Sequence, residues 1–102
     1  MNNLETVIDI LEGLKVKDLA AYDFEQSSPY YDHFVIATIN ERQGIAAASH
    51  FKKSDIEVRN IEGKGGGWIL IDLGNIIVHL FKQDEREFYG FDRRLIGIKR
   101  VK

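Results

Sequence analysis

The sequence predicts a single α/β domain, a mixed sheet of about five strands with flanking helices, and three observations carry that reading. Leu4, Val7, Ile8, Leu11 and Leu14 recur at the 3.6-residue spacing of an amphipathic helix. His33 to Ile39 is an almost unbroken apolar run, the signature of a strand covered on both faces. Trp68–Leu73 and Ile76–Phe81 are strong strand segments around Gly74-Asn75, a dipeptide suited to a tight hairpin with glycine first.

Taken in order, the first helix can be capped by Asn2 or Asn3 and ended by Gly13. Lys17 to Phe24 reads as a strand, followed by the turn-prone Ser27, Ser28 and Pro29. After the central strand, Asn40 with Gln43 three residues on forms a capping-box pattern for a second helix over about Glu41 to Lys53. Ile56, Val58 and Asn60 alternate with Glu57 and Arg59 as a short exposed strand, and Gly63 to Gly67 form a connection. A short helical turn follows the hairpin, with Asp84 as its expected cap. No repeat or composition break divides the chain, so residues 1–102 are expected to form one domain.

Composition narrows the function classes. Charged residues at 29% and hydrophobic residues at 44% are ordinary globular values, and a chain of 102 residues can bury a core without staples. With no cysteine, there is no thiolate for redox chemistry, nucleophilic catalysis or zinc, and a cytoplasmic location is expected. Met1 to Leu14 carries Glu5, Asp9 and Glu12, which suits neither a signal nor a transit peptide. The apolar runs are too short to span a bilayer. A net charge of −2 gives the whole chain no electrostatic drive toward nucleic acid. Arg93, Arg94, Lys99, Arg100 and Lys102 form a local exception, read as a solvated basic tail that could touch phosphates.

The hairpin assigns its side chains to two faces. Pairing Leu73 with Ile76 sets Asp72 against Ile77, Ile71 against Val78, Leu70 against His79, Ile69 against Leu80 and Trp68 against Phe81. One face is then wholly aliphatic, Ile69, Ile71, Leu73, Ile76, Val78 and Leu80, and is core. The other carries Trp68, Leu70, Asp72, Ile77, His79 and Phe81 and is the candidate functional surface. The alternative is that Trp68 packs under a helix or the carboxy-terminal segment. Asp72 and His79 are diagonal neighbours that could share a hydrogen bond, but no nucleophile accompanies them. His33, His50 and His79 lack metal-ligand spacing, so no metal is expected.

The stretch Asp32–Thr38, the segment Gly67–Phe81 and then Arg86-Glu87-Phe88-Tyr89 resemble the Iojap-like ribosomal silencing factors over nearly the whole chain. That resemblance implies an α/β fold similar to nucleotidyltransferases, without established transferase chemistry and with no cofactor. It implies binding to a large-subunit ribosomal protein, the fourteenth, on the intersubunit face, which blocks subunit joining and represses translation when nutrients are scarce. Trp68, Asp72, Gly74, His79, Arg86 and Tyr89 match the family's motif residues, and Asp32 and Thr38 its central-strand signature. The expected partner-binding set is Trp68, Leu70, Asp72, His79, Phe81, Arg86 and Tyr89, and Trp68→Ala is expected to weaken ribosome binding more than folding. Two departures stand out: Ile39 replaces the usual glycine, and Phe91-Asp92-Arg93-Arg94-Leu95 replaces a leucine-rich end that finishes in tryptophan. The basic tail is expected to add a peripheral ribosomal RNA contact, and the protein to be a monomer or weak homodimer.

Two other readings compete. A nucleotidyltransferase-like enzyme would need paired carboxylates beside a Gly-Ser turn; Asp55 and Glu57 alternate suitably, but no Gly-Ser precedes them. The run Gly63-Lys64-Gly65-Gly66-Gly67 lacks the spacing of a phosphate loop and precedes a strand. A generic module that dimerises through the Trp68 face would show a concentration-dependent mass.

Overall fold

The computed structural model describes residues 3–63 and 66–102. The elements run α1 (Asn3–Gly13), β1 (Lys17–Asp23), β2 (His33–Thr38), α2 (Glu41–Lys53), β3 (Asn60–Glu62), β4 (Trp68–Asp72), β5 (Ile76–Phe81), α3 (Gln83–Tyr89), a 3-10 turn (Phe91–Leu95) and β6 (Lys99–Arg100). They form one α/β domain around a mixed sheet of order β3-β4-β5-β2-β1-β6. Among the described residues β2 and β5 run parallel, and the other strand pairs are antiparallel.

The hairpin register is the one expected from the sequence, from Trp68 opposite Phe81 to Asp72 opposite Ile77. Gly74 turns the chain at φ +94°, a region closed to most side chains. The capping box at α2 also forms: the Asn40 side chain accepts from the Gln43 amide at 2.8 Å, and the Gln43 side chain accepts from the Asn40 amide at 2.9 Å. The Gln43 side-chain amide donates in turn to the carbonyls of Leu14 and Lys15, which anchors the chain just past α1 onto α2.

α1 and α2 cover the aliphatic face. Val7, Leu11, Ala47 and Phe51 meet Val35, Ile71, Val78 and Leu80 there with no exposure at all. Each of the larger side chains contributes roughly 1.5–3 kcal/mol by leaving water.

Four expectations need correction. The sheet has six strands rather than five, because the basic tail folds back: β6 pairs with β1, and the Val101 amide donates to the Ala21 carbonyl at 2.8 Å. The third strand is Asn60–Glu62, not Ile56–Asn60, because Ile56 turns into the aliphatic core and pairing with β4 begins only at Arg59. Asp84 does not cap α3; the helix starts at Gln83 after Lys82, without a side-chain cap bond. Asn3 is itself helical instead of a cap, and Asn2, Lys64 and Gly65 lie outside the described residues.

Candidate functional site

The alternation of β4 and β5 places Trp68, Leu70, Asp72, Ile77, His79 and Phe81 on the face away from α1 and α2. Parallel pairing with β2 adds Phe34, Ile36 and Thr38 beside Ile77, His79 and Phe81. This face has its own cover. Phe91 and Leu95 from the 3-10 turn lie on it, almost fully buried, with Ile98 beside them. The face is thus a second core over much of its area, which corrects the expectation that all of it is surface.

Trp68 sits at the margin of that core, half-buried. Its ring stacks on Phe81 at 4.9 Å, lies 5.1 Å from Tyr89 and meets Phe91 edge-on at 5.6 Å. Its indole N–H donates to His79 Nδ1 at 3.3 Å. That bond assigns the imidazole proton to Nε2. His79 is 4% exposed and packs between Phe34 and Phe91, at 4.6 and 4.5 Å. Burial pushes its pKa down to about 4, so it is a neutral ring at physiological pH. The hydrogen bond that Asp72 and His79 could share does not form. His79 is taken by Trp68, while Asp72 accepts from the Gly74 amide at 2.8 Å and fastens the hairpin turn.

Arg86 reaches from α3 to three other parts of the chain. Its Nε and Nη2 donate to both oxygens of Asp92 at 3.0 and 2.9 Å, a fork-to-fork geometry. Its Nη1 donates to the Asp18 carbonyl and to Thr38 Oγ1, both at 2.9 Å. The Asp18 carbonyl belongs to an irregular stretch of β1, where the register with β2 shifts between Lys17 and Ala20 and Asp18 has φ +50°. The hydrogen bonds from Arg86 hold the Asp92 carboxyl below its ordinary pKa. One side chain therefore clasps α3 and the 3-10 turn to the ends of β1 and β2.

The family described as "Ribosomal silencing factor during starvation" matches residues 1–94. The chain belongs to the ribosomal silencing factor family. The ribosomal silencing factor of Haemophilus influenzae is 34% identical over 96 residues, which cover 88% of this chain and 94% of that protein. A crystal structure from Bacillus halodurans superposes with a TM-score of 0.80 at 28% identity, covering 97% of this chain and 95% of the other. A more distant mouse relative, "Mitochondrial assembly of ribosomal large subunit protein 1", is 24% identical, and this chain spans 44% of its length.

Against that family background, the residues singled out from sequence fall into two groups. His79 and Phe81 are buried and Arg86 gives four of its five N–H groups to internal partners, so these three shape the site from beneath. Trp68, Leu70 and Asp72 are half-buried and Tyr89 is 45% exposed, so these four can be touched from outside. Trp68 also packs on Phe81 and Phe91 beneath it, and replacing it by alanine is expected to cost stability as well as contact. Three residues of the site were missed. Phe88, 81% exposed, stands next to Tyr89 on α3, and Phe91 and Leu95 cover the sheet. The i, i+4 spacing of Phe91 and Leu95 was a usable signal, masked by Arg93 and Arg94 between them.

Proposed function

We propose that this protein silences ribosomes by docking on the large subunit through one ribosomal protein on the intersubunit face, the fourteenth, and sterically keeping the small subunit away. The observation that carries this reading is the rim of the aromatic core. There Trp68, Leu70, Tyr89 and Phe88 form an apolar patch that the chain's own carboxy-terminal segment leaves uncovered. Aromatic anchors backed by a packed core are the usual hot spots of an interface. Asp84, Glu85 and Glu87 on α3 border the patch and suit a basic partner such as a ribosomal protein. The mechanism needs no bond-making chemistry, cofactor or metal, only the bulk of the domain. It is a cytoplasmic function that lowers translation when nutrients are scarce. Lys99 and Lys102 pair with Glu25 and Glu12, so any ribosomal RNA contact by this end falls first to Arg93, Arg94 and Arg100.

Co-sedimentation with separated subunits tests the reading. The protein should pellet with large subunits and not with small ones, and Leu70→Ala combined with Tyr89→Ala should weaken pelleting by about tenfold or more. Absence of pelleting with large subunits at near-physiological salt would sink it.

A further inference from the structure

The aliphatic side of the molecule holds a feature that ribosome docking does not use. Between α2 and β4 lies a cleft of about 310 Å³, floored by Ile39, Gly44, Ala48 and Ile69. Gly44 is what lets the helix sit so low: a Cβ there would lie 2.8 Å from Ile69 Cδ1 and 2.9 Å from Ile39 Cδ1. Ile45 stands on the rim 69% exposed, a large aliphatic side chain with no cover. Glu41, Ile45, Ala48 and Lys52, all lining residues, are spaced i, i+4, i+7 and i+11 on one face of α2. The cleft therefore follows the helix for roughly 16 Å, about three turns.

Its polar groups are Glu41, Ser49, Lys52 and Lys82, and none of them is buried. A small-molecule site would place polar groups inside to orient its ligand. Here the interior is aliphatic, and charge stands only on accessible side chains. Lys52 and Lys82 form none of the ion pairs among the described residues, and Lys53 adds positive charge in the last turn of α2. An elongated apolar cleft with free cations and an exposed isoleucine ridge fits an amphipathic helix bearing carboxylates.

We propose that this cleft is a second docking site, for a helix of a partner protein with aliphatic side chains along one face and carboxylates placed to meet Lys52 and Lys82. The cleft opens on the helix-covered face of the sheet and the Trp68–Tyr89 patch on the other, so both can be occupied at once. The proposal does not rest on the ribosome reading.

The test uses the full chain, isotope-labelled for NMR, and two synthetic three-turn helical peptides. Both carry leucines at i, i+3, i+4 and i+7; one has glutamates at its ends, the other lysines. The glutamate peptide should shift the amide signals of Ile45, Ala48, Ser49 and Ile69. Its affinity should fall by at least about tenfold in the double variant Lys52→Glu, Lys82→Glu, and Ser49→Trp, which fills the cleft from its half-buried rim, should block it. Both variants should keep the wild-type urea midpoint and pellet with large subunits as before, which separates this site from the ribosome-docking patch. Equal binding of the two peptides, shifts centred on Trp68 and Tyr89, or no shifts at millimolar peptide would overturn the proposal.

Discussion

The two faces of this sheet are covered in different ways. The aliphatic face is sealed by α1 and α2, long helices with side chains that lie wholly out of water. The aromatic face is covered by one 3-10 turn with Ile98 beyond it, held down by one arginine, and it leaves Trp68, Leu70 and Tyr89 partly open. The first arrangement specifies the fold; the second leaves open the apolar rim through which we propose the protein docks. If this contrast is right, substitutions in the aliphatic core act on stability and leave ribosome binding unchanged, and those on the aromatic side divide their effects between stability and ribosome binding.

The largest stability effect is expected at Ile71, which has no exposure and sits at the centre of the aliphatic core. Ile71→Ala should cost roughly 2–5 kcal/mol, read as a shift in the urea midpoint. A cost under about 1 kcal/mol would mean that this core is loosely packed and that the contrast is overstated.

Next comes the response to acid. The pKa of His79 lies near 4 in the folded protein, because burial opposes its charge, and its ordinary value is 6.5. Between these values the unfolded chain holds a proton that the folded chain refuses, so the stabilisation present above pH 6.5 is lost as pH falls toward 4. At about 1.4 kcal/mol per pH unit the total approaches roughly 3 kcal/mol. Asp92 adds a separate loss, because its lowered pKa gives stability that is present above the ordinary value of 3.8 and disappears below it. Urea midpoints measured from pH 7 to 4 should decline in the wild type and stay nearly flat in His79→Gln over the same range.

Arg86 tests the clasp. Replacing it by alanine removes four donated hydrogen bonds and leaves Asp92 without its partner. The arginine is 13% exposed but the aspartate 45%, so water recovers part of the loss, and roughly 2 kcal/mol is expected. Because α3 carries Tyr89, ribosome binding should weaken too, and lysine should rescue little, since it cannot grip both carboxylate oxygens. Full rescue by Arg86→Lys would reduce the clasp to a simple charge effect.

How much of this was legible in the sequence follows from the range of the forces involved. The hairpin register, the capping box and the extent of α2 depend on residues a few positions apart, and Gly74, Asn40 and Gln43 announce them directly. The cover of the aromatic face depends on contacts such as Arg86 with Asp18 and Thr38, 68 and 48 residues away in sequence. Charge at Arg93, Arg94 and Lys99 suggests a solvated tail, while the apolar Phe91 before those charges and Leu95 and Ile98 between them decide where it goes. Asp72 and His79 were paired by adjacency alone. The structure gives each another partner: the Gly74 amide donates to Asp72 and the Trp68 indole N–H to His79 Nδ1, while His79 Nε2 stays buried without a hydrogen bond.

The smallest stability effect belongs to Phe88, and it separates the two roles most cleanly. The side chain is 81% exposed and touches the rest of the domain mainly through Tyr89, at 5.4 Å between ring centroids. Phe88→Ala should change the urea midpoint by less than about 0.5 kcal/mol, since a surface truncation leaves no cavity. An isolated exposed phenylalanine needs no explanation; one beside Tyr89, Trp68 and an acidic helix margin is what a basic partner would bury. Large-subunit pelleting should therefore fall by about tenfold in this variant, whose fold is untouched. Unchanged pelleting would move the docking surface away from α3, toward Leu70, Ile77 and the open end of the hairpin.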